Sequence, residues 1–152
     1  MKLVLYNALI KPYILYGIEL WSNANKTHLK NINIWHRKAI RMVFNLDKFH
    51  PTADICKSNN ILTINQLRYL QMIKLGFDIK DGVVSLSITN KFHFEPESSR
   101  RAGCMIEQNA SNAIKRLPKF NIIRQWNLFH QEDKNIGSYS KFKRFALKEF
   151  LI

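Results

Sequence analysis

Apolar residues recur at helical intervals along most of this chain, and polar or Gly- and Pro-containing gaps separate the runs. In residues 2–20, Leu3, Tyr6, Leu9 and Ile10 fall three and four apart, which predicts a helix. Pro12 lacks a backbone N–H, so a kink or a second helix start is expected there. Tyr13, Leu15, Tyr16 and Trp21 continue a mostly buried face up to a polar break at residues 22–25. Thr27 then stands where a cap is expected for a helix running to about Phe44. At about 100° per residue, Leu29, Ile32, Trp35, Ala39, Met42 and Val43 share one broad face, expected to be core. Lys26, Lys30, Arg37 and Arg41 form a narrow stripe, read as lying opposite that face, with no carboxylate among them. Lys30 and Arg41 would stand ~16 Å apart along such a helix.

His50-Pro51-Thr52 marks a turn, with Thr52 placed to cap a short helix through Lys57, and Asn59-Asn60 is a further break. Thr63 is expected to cap a long helix from Ile64 to about Lys80. Its Ile64, Leu67, Leu70, Met72, Ile73, Leu75 and Phe77 are too many for one stripe and predict burial from two sides. Asp81-Gly82 closes this half. Residues 81–101, with Pro96, Ser98 and Ser99, read as a linker with at most one short helix or extended segment. Residues 102–116 are a weaker helical candidate. Residues 121–129 form a short amphipathic helix around Trp126, and a last helix from Ser138 or Ser140 carries Phe142, Phe145, Phe150 and Leu151. The expected fold is mainly α: a small helical bundle over residues 1–80, then a less regular helical region over 81–152.

Composition sharpens this picture. With 46% apolar and 12% aromatic residues in 152, the chain has material for a real core. The net charge of +13, from 24 Lys and Arg against 11 Asp and Glu, calls for a polyanion. Nucleic acid is the first candidate and a membrane surface the competing one. Residues 1–80 carry 12 basic and 4 acidic side chains, a balance of +8; residues 81–152 carry 12 and 7, a balance of +5. The first half is therefore the better candidate for the polyanion surface. No apolar run reaches the roughly 18 residues of a membrane span, and no signal-peptide cleavage pattern follows the N-terminal apolar segment. An intracellular protein, nuclear or cytoplasmic, is expected.

Cys56 and Cys104 are the only cysteines, too few and too far apart for a disulfide scaffold or a zinc knuckle. His28, His36, His50, His93 and His130 show no helical metal spacing and read as ordinary surface or interfacial residues. Only five Gly are present, and no P-loop or G-x-S-x-G motif occurs. No catalytic, metal or cofactor residue is assigned.

The stretch from Leu5 to Trp21, LYNALIKPYILYGIELW, resembles the segment just after the palm in non-LTR (LINE-type) retrotransposon reverse transcriptases. That family pattern is an aromatic pair, a Pro, then Tyr-Gly and a Trp. Leu29-Lys30, Arg37-Lys38-Ala39-Ile40-Arg41, Ile61-Leu62-Thr63-Ile64, Ser99-Arg100, Trp126-Asn127 and Phe142-Lys143 are similar to later family features, in the same order. Ser98 and Ser99 replace the first two residues of an Asn-Thr-Arg site, and Phe129 stands where a Pro is common. The resemblance implies a thumb-like bundle that cradles a template–primer duplex by its backbone. Lys26, Lys30, Arg37, Lys38 and Arg41 would then be the contacts, with RNA or an RNA–DNA hybrid as partner. The palm's aromatic-Ala-Asp-Asp motif, needed to hold two metal ions for polymerisation, is absent, as is the endonuclease domain; a non-enzymatic role is expected. The alternative is a structural protein acting as a helical scaffold in a larger ribonucleoprotein assembly, with other subunits covering its apolar face.

Overall fold

The computed structural model describes residues 2–21, 24, 26–106, 111, 115, 117–132 and 138–151, with the backbone alone at Lys26, His130, Gln131, Glu132, Glu149 and Leu151. The chain is mainly α. In order come α1 (Lys2–Leu5), a π-helical turn (Tyr6–Ile10), α2 (Lys11–Leu15), α3 (Ile18–Trp21), α4 (Lys26–Phe44), α5 (Ala53–Ser58), α6 (Ile64–Lys80), α7 (Leu86–Thr89), α8 (Pro118–Glu132) and α9 (Tyr139–Leu151). Among the described residues the β structure is an isolated antiparallel bridge between Phe94 and Met105. None of these helices is long and apolar enough to cross a membrane.

The chain divides into two compact units. Residues 1–68 with 148–152 form the first and residues 69–147 the second. The division therefore falls inside α6 and α9, whereas the sequence pattern places a boundary at residues 80–81. Helices are continuous by hydrogen bonding, but the partners of their side chains change along their length.

Local sequence accounts for the breaks. Pro12 sits in the first turn of α2, and the preceding turn widens so that the Lys11 N–H donates to the Tyr6 carbonyl, five residues back. A π turn relieves the clash that a proline ring imposes on an α-helix. Gly17, at φ +61°, separates α2 from α3. Three helices end alike. Asn45, Asn60 and Gly82 take left-handed φ of 54°, 55° and 69°. The following N–H of Leu46, Ile61 or Val83 donates back to the carbonyl of Arg41, Cys56 or Asp78, at 2.9, 2.8 and 2.9 Å. That is the Schellman motif, in which a left-handed residue lets the chain satisfy the last carbonyls. Thr63 and Gln66 form a reciprocal capping box at the start of α6: the Thr63 N–H donates to Gln66 Oε1 at 2.8 Å and the Gln66 N–H to Thr63 Oγ1 at 3.4 Å. Two expected caps differ. Thr27 lies inside α4 and not before it, and Thr52 precedes α5 without a side-chain cap hydrogen bond. The break expected at residues 22–25 lies, except for Ala24, outside the described residues.

In the first unit, Tyr6, Ile40 and Ile61 form a buried cluster, joined by Ile10, Val43, Phe44, Ile55 and Cys56. The buried face expected of the first two helices is corrected. Tyr6 and Ile18 are buried, but Leu9, Tyr13 and Tyr16 are exposed. The widened turn and Gly17 break the single helical register that would have aligned them.

The second unit packs around aromatic rings. Phe77 meets Trp126 edge-on at 5.0 Å, and Phe129 meets Phe142 at 4.7 Å. Gly76 lies directly against the Trp126 ring, where an added Cβ would overlap it. Trp126 Nε1 donates to the Gly103 carbonyl at 2.9 Å. Asn127 accepts from the Met105 N–H at 2.7 Å and donates to its carbonyl at 2.8 Å. Residues 81–101, read as a linker with at most one short helix or extended segment, contain the short α7, and the segment that follows them is held by side chains of α8. Residues 102–106, the described part of the expected helix 102–116, are turn and bridge and not helix; Gly103, at φ +78°, turns the chain there. Most of residues 107–116 lie outside the described residues.

Candidate nucleic-acid interface

The α4 helix carries the basic stripe, and its orientation decides what that stripe can touch. Trp35 and Met42, expected in the core, are 67% and 81% exposed, while His36 and Ile40 are buried at 5% and 1%. On a helix of about 100° per residue, burial is therefore turned by roughly a fifth of a turn toward the cations. The reading that placed the stripe opposite the core is corrected: it runs along the edge of the buried face. The cause is a polar contact. Tyr6 Oη and His36 Nε2 lie 2.8 Å apart in the interior, and this pair fixes the face of α4 that docks. Periodicity alone scores Trp and Met as core and His as surface, so it selects the neighbouring face.

A groove of about 480 Å³ opens beside this buried face, between α4, α5 and the start of α6. Arg37 and Arg41 line it from α4 and Lys57 from α5, with His36, Thr52, Cys56 and Gln66 among the other walls. Among the described residues, no Asp or Glu lines it. Arg41 is anchored, because its Nε donates to the His50 carbonyl at 2.9 Å. Gln66 Nε2 donates to the Phe150 carbonyl at 3.4 Å along another edge.

The titratable groups His36 and Cys56 in the wall, and Tyr6 behind His36, stay uncharged. Burial, with Arg37 beside it, holds His36 down to about 4 from an ordinary 6.5, so it is neutral at pH 7. Burial pushes Tyr6 well above its usual range, with Cys56 adding to the effect. Burial also pushes the Cys56 thiol up, partly offset by Arg37. The positive charge in the groove therefore comes from Arg37, Arg41 and Lys57.

The five residues singled out in the sequence are placed as follows. Arg37 and Arg41 come together in the groove. Lys30 is exposed on the same stripe, nearer the helix start. Lys38 is exposed on a different face, with Nζ 4.9 Å from the centre of the Trp35 ring. The side chain of Lys26 lies outside the described residues. Among the described residues, no carboxylate pairs with Lys30, Arg37, Lys38 or Arg41. Sequence reasoning missed Lys57 and His36. The signal for Lys57 was the short helix after Thr52, which turns its last residues toward α4; no periodic signal marks His36. Among the described residues no three His, Cys, Asp or Glu side chains gather to hold a metal ion.

The chain matches no family model, no curated protein and no solved structure.

Proposed function

We propose that this chain is a non-catalytic nucleic-acid-binding protein that grips the sugar–phosphate backbone, and that it descends from the thumb region of a LINE-type reverse transcriptase. One observation carries the binding reading: Arg37 and Arg41, with Lys57 beside them, line one groove that has no Asp or Glu among its described lining residues. An ordinary solvated surface mixes signs, whereas a row of like cations costs repulsion unless an anion joins it. Backbone contact by Arg and Lys is salt-sensitive and largely blind to sequence. The descent rests on the sequence resemblance. A thiol held protonated and a histidine committed to Tyr6 give the groove no ready nucleophile, which supports a binding role. A nucleic-acid partner implies a working location inside the cell, in nucleus or cytoplasm.

The test is binding to a labelled RNA–DNA hybrid across a salt series, with Arg37→Glu and Lys30→Glu/Arg41→Glu. Removing a single phosphate-binding cation should flatten the log–log salt slope by about one. Unchanged affinity and slope in both variants would refute the groove.

A second reading is favoured by a separate observation. Val4, Leu9, Tyr13, Tyr16 and Leu20 are all exposed on the N-terminal helices. Exposed apolar residues in that number suit a protein partner, as in a scaffold component of a ribonucleoprotein. The two readings are compatible, since none of these residues lines the groove.

A further inference from the structure

From the C-terminal end of α4 and the turn after it, we infer a second contact surface, one that takes unpaired single-stranded nucleic acid by stacking its bases. The inference extends the nucleic-acid reading above; it shares Arg41 with the groove and rests otherwise on aromatic rings and lysines that do not line it. Trp35, Met42 and Phe49 are 67%, 81% and 87% exposed. Two of them carry a lysine on the ring: Lys38 Nζ lies 4.9 Å from the Trp35 centroid and Lys48 Nζ 5.5 Å from that of Phe49. Met42, Phe49, Lys38, Lys48 and Arg41 line one open cleft of about 830 Å³.

The turn that presents Phe49 is built and not slack. Asn45 adopts φ +54°, its N–H donates to the Met42 carbonyl at 3.2 Å, and the Leu46 N–H to that of Arg41 at 2.9 Å. The Schellman closure fixes the direction in which the chain leaves α4. It sets Lys48-Phe49 beside the Lys38–Met42 edge of the helix. Asp47, exposed in the same turn, does not line the cleft.

Exposed rings interleaved with cations fit one chemistry best. A single strand presents a flat base and a phosphate in every unit, so each ring can stack a base while the neighbouring ammonium meets the phosphate. A duplex offers no unstacked face to these rings. A neutral protein partner would leave three cations facing apolar surface, which is costly. A membrane surface prefers a convex apolar face, whereas Met42 and Phe49 line a concavity together with three cations, and Trp35 stands outside it on the same helix, with Lys38 reaching its ring.

The experiment compares the full chain with Trp35→Ala, Phe49→Ala and Trp35→Phe on three probes: a labelled uridine homopolymer, an RNA–DNA hybrid, and vesicles containing anionic lipid. Both alanine variants should bind the homopolymer at least about fivefold more weakly, since stacking on one ring is worth that much or more. Their hybrid affinity should stay within about twofold, because neither side chain lines the groove. Trp35→Phe should retain homopolymer affinity, yet lose most of the base-induced fluorescence quenching, since Trp126 is 1% exposed and Trp21 is half-buried on α3 and does not line the cleft. These residues are exposed, and an unchanged helical spectrum confirms that the variants fold. Homopolymer affinity unaffected by both alanine variants overturns the stacking surface, as does vesicle binding that those variants abolish while homopolymer binding persists. Failure of the groove reads out separately, as hybrid affinity that ignores Arg37→Glu.

Discussion

Acid should destabilise the first unit through one residue, His36. Its ring is buried at 5% exposure, its Nε2 faces Tyr6 Oη at 2.8 Å, and its pKa is held near 4. In the unfolded chain the same imidazole takes a proton near 6.5. Between pH 6.5 and 4 the unfolded state therefore binds more protons than the folded state, and stability falls as pH falls. The contribution is fully present above pH 6.5 and is lost on the way down to pH 4. At 1.36 kcal/mol per pH unit of difference, the loss is about 3 kcal/mol. That is a large part of the stability of a small domain. Carboxylates also titrate in acid, so the comparison must be made against His36→Gln, which keeps a polar head for Tyr6 and cannot titrate. Urea unfolding followed by tryptophan emission, at intervals from pH 7.5 to 4, should give the wild type an acid loss about 3 kcal/mol larger than that of the variant. Parallel profiles, or an imidazole that titrates near 6.5 by NMR in the folded protein, would refute the buried neutral pair.

Two predictions concern the second unit. Gly76→Ala should improve helix propensity by about 1 kcal/mol, yet push a methyl into the Trp126 ring; a net destabilisation of about 1–3 kcal/mol is expected by thermal denaturation. A variant more stable than wild type would show that Trp126 is free to move aside. Asn127→Ala removes both side-chain hydrogen bonds to the Met105 backbone and should cost about 1–3 kcal/mol. It should also speed amide exchange at Met105, and unchanged exchange there would mean that α8 does not hold this segment.

The fold class and most of the long helices were legible because they obey local rules. Ile64–Lys80 starts at a Thr-x-x-Gln box and ends at Asp-Gly, and its apolar residues do face more than one direction. Asn59-Asn60 ends α5 through the left-handed conformation that Asn tolerates. Position within the fold was less legible. The helix α4 has two apolar faces in sequence, and a tyrosine thirty residues earlier decides between them through a hydrogen bond to His36. Hydrophobic periodicity carries no record of such a partner. For the same reason Trp35 and Met42, read as core, are exposed. Asn127 stood out in sequence only as half of a Trp-Asn pair, and its grip on Met105 depends on a chain reversal at Gly103. The cations Arg37 and Arg41 were visible as a stripe; that Lys57 completes their groove required the path of the chain between α4 and α5.

The central claim is that Arg37, Arg41 and Lys57 together bind a nucleic-acid backbone, and one titration tests it most directly. The purified chain and Arg37→Glu would be titrated with a labelled RNA–DNA hybrid over a range of monovalent salt. Affinity that falls steeply with salt in the wild type, and is weaker with a slope flatter by about one in the variant, is expected. A well-folded wild-type chain that does not bind at low salt, or an Arg37→Glu variant that binds with unchanged affinity and slope, would contradict it.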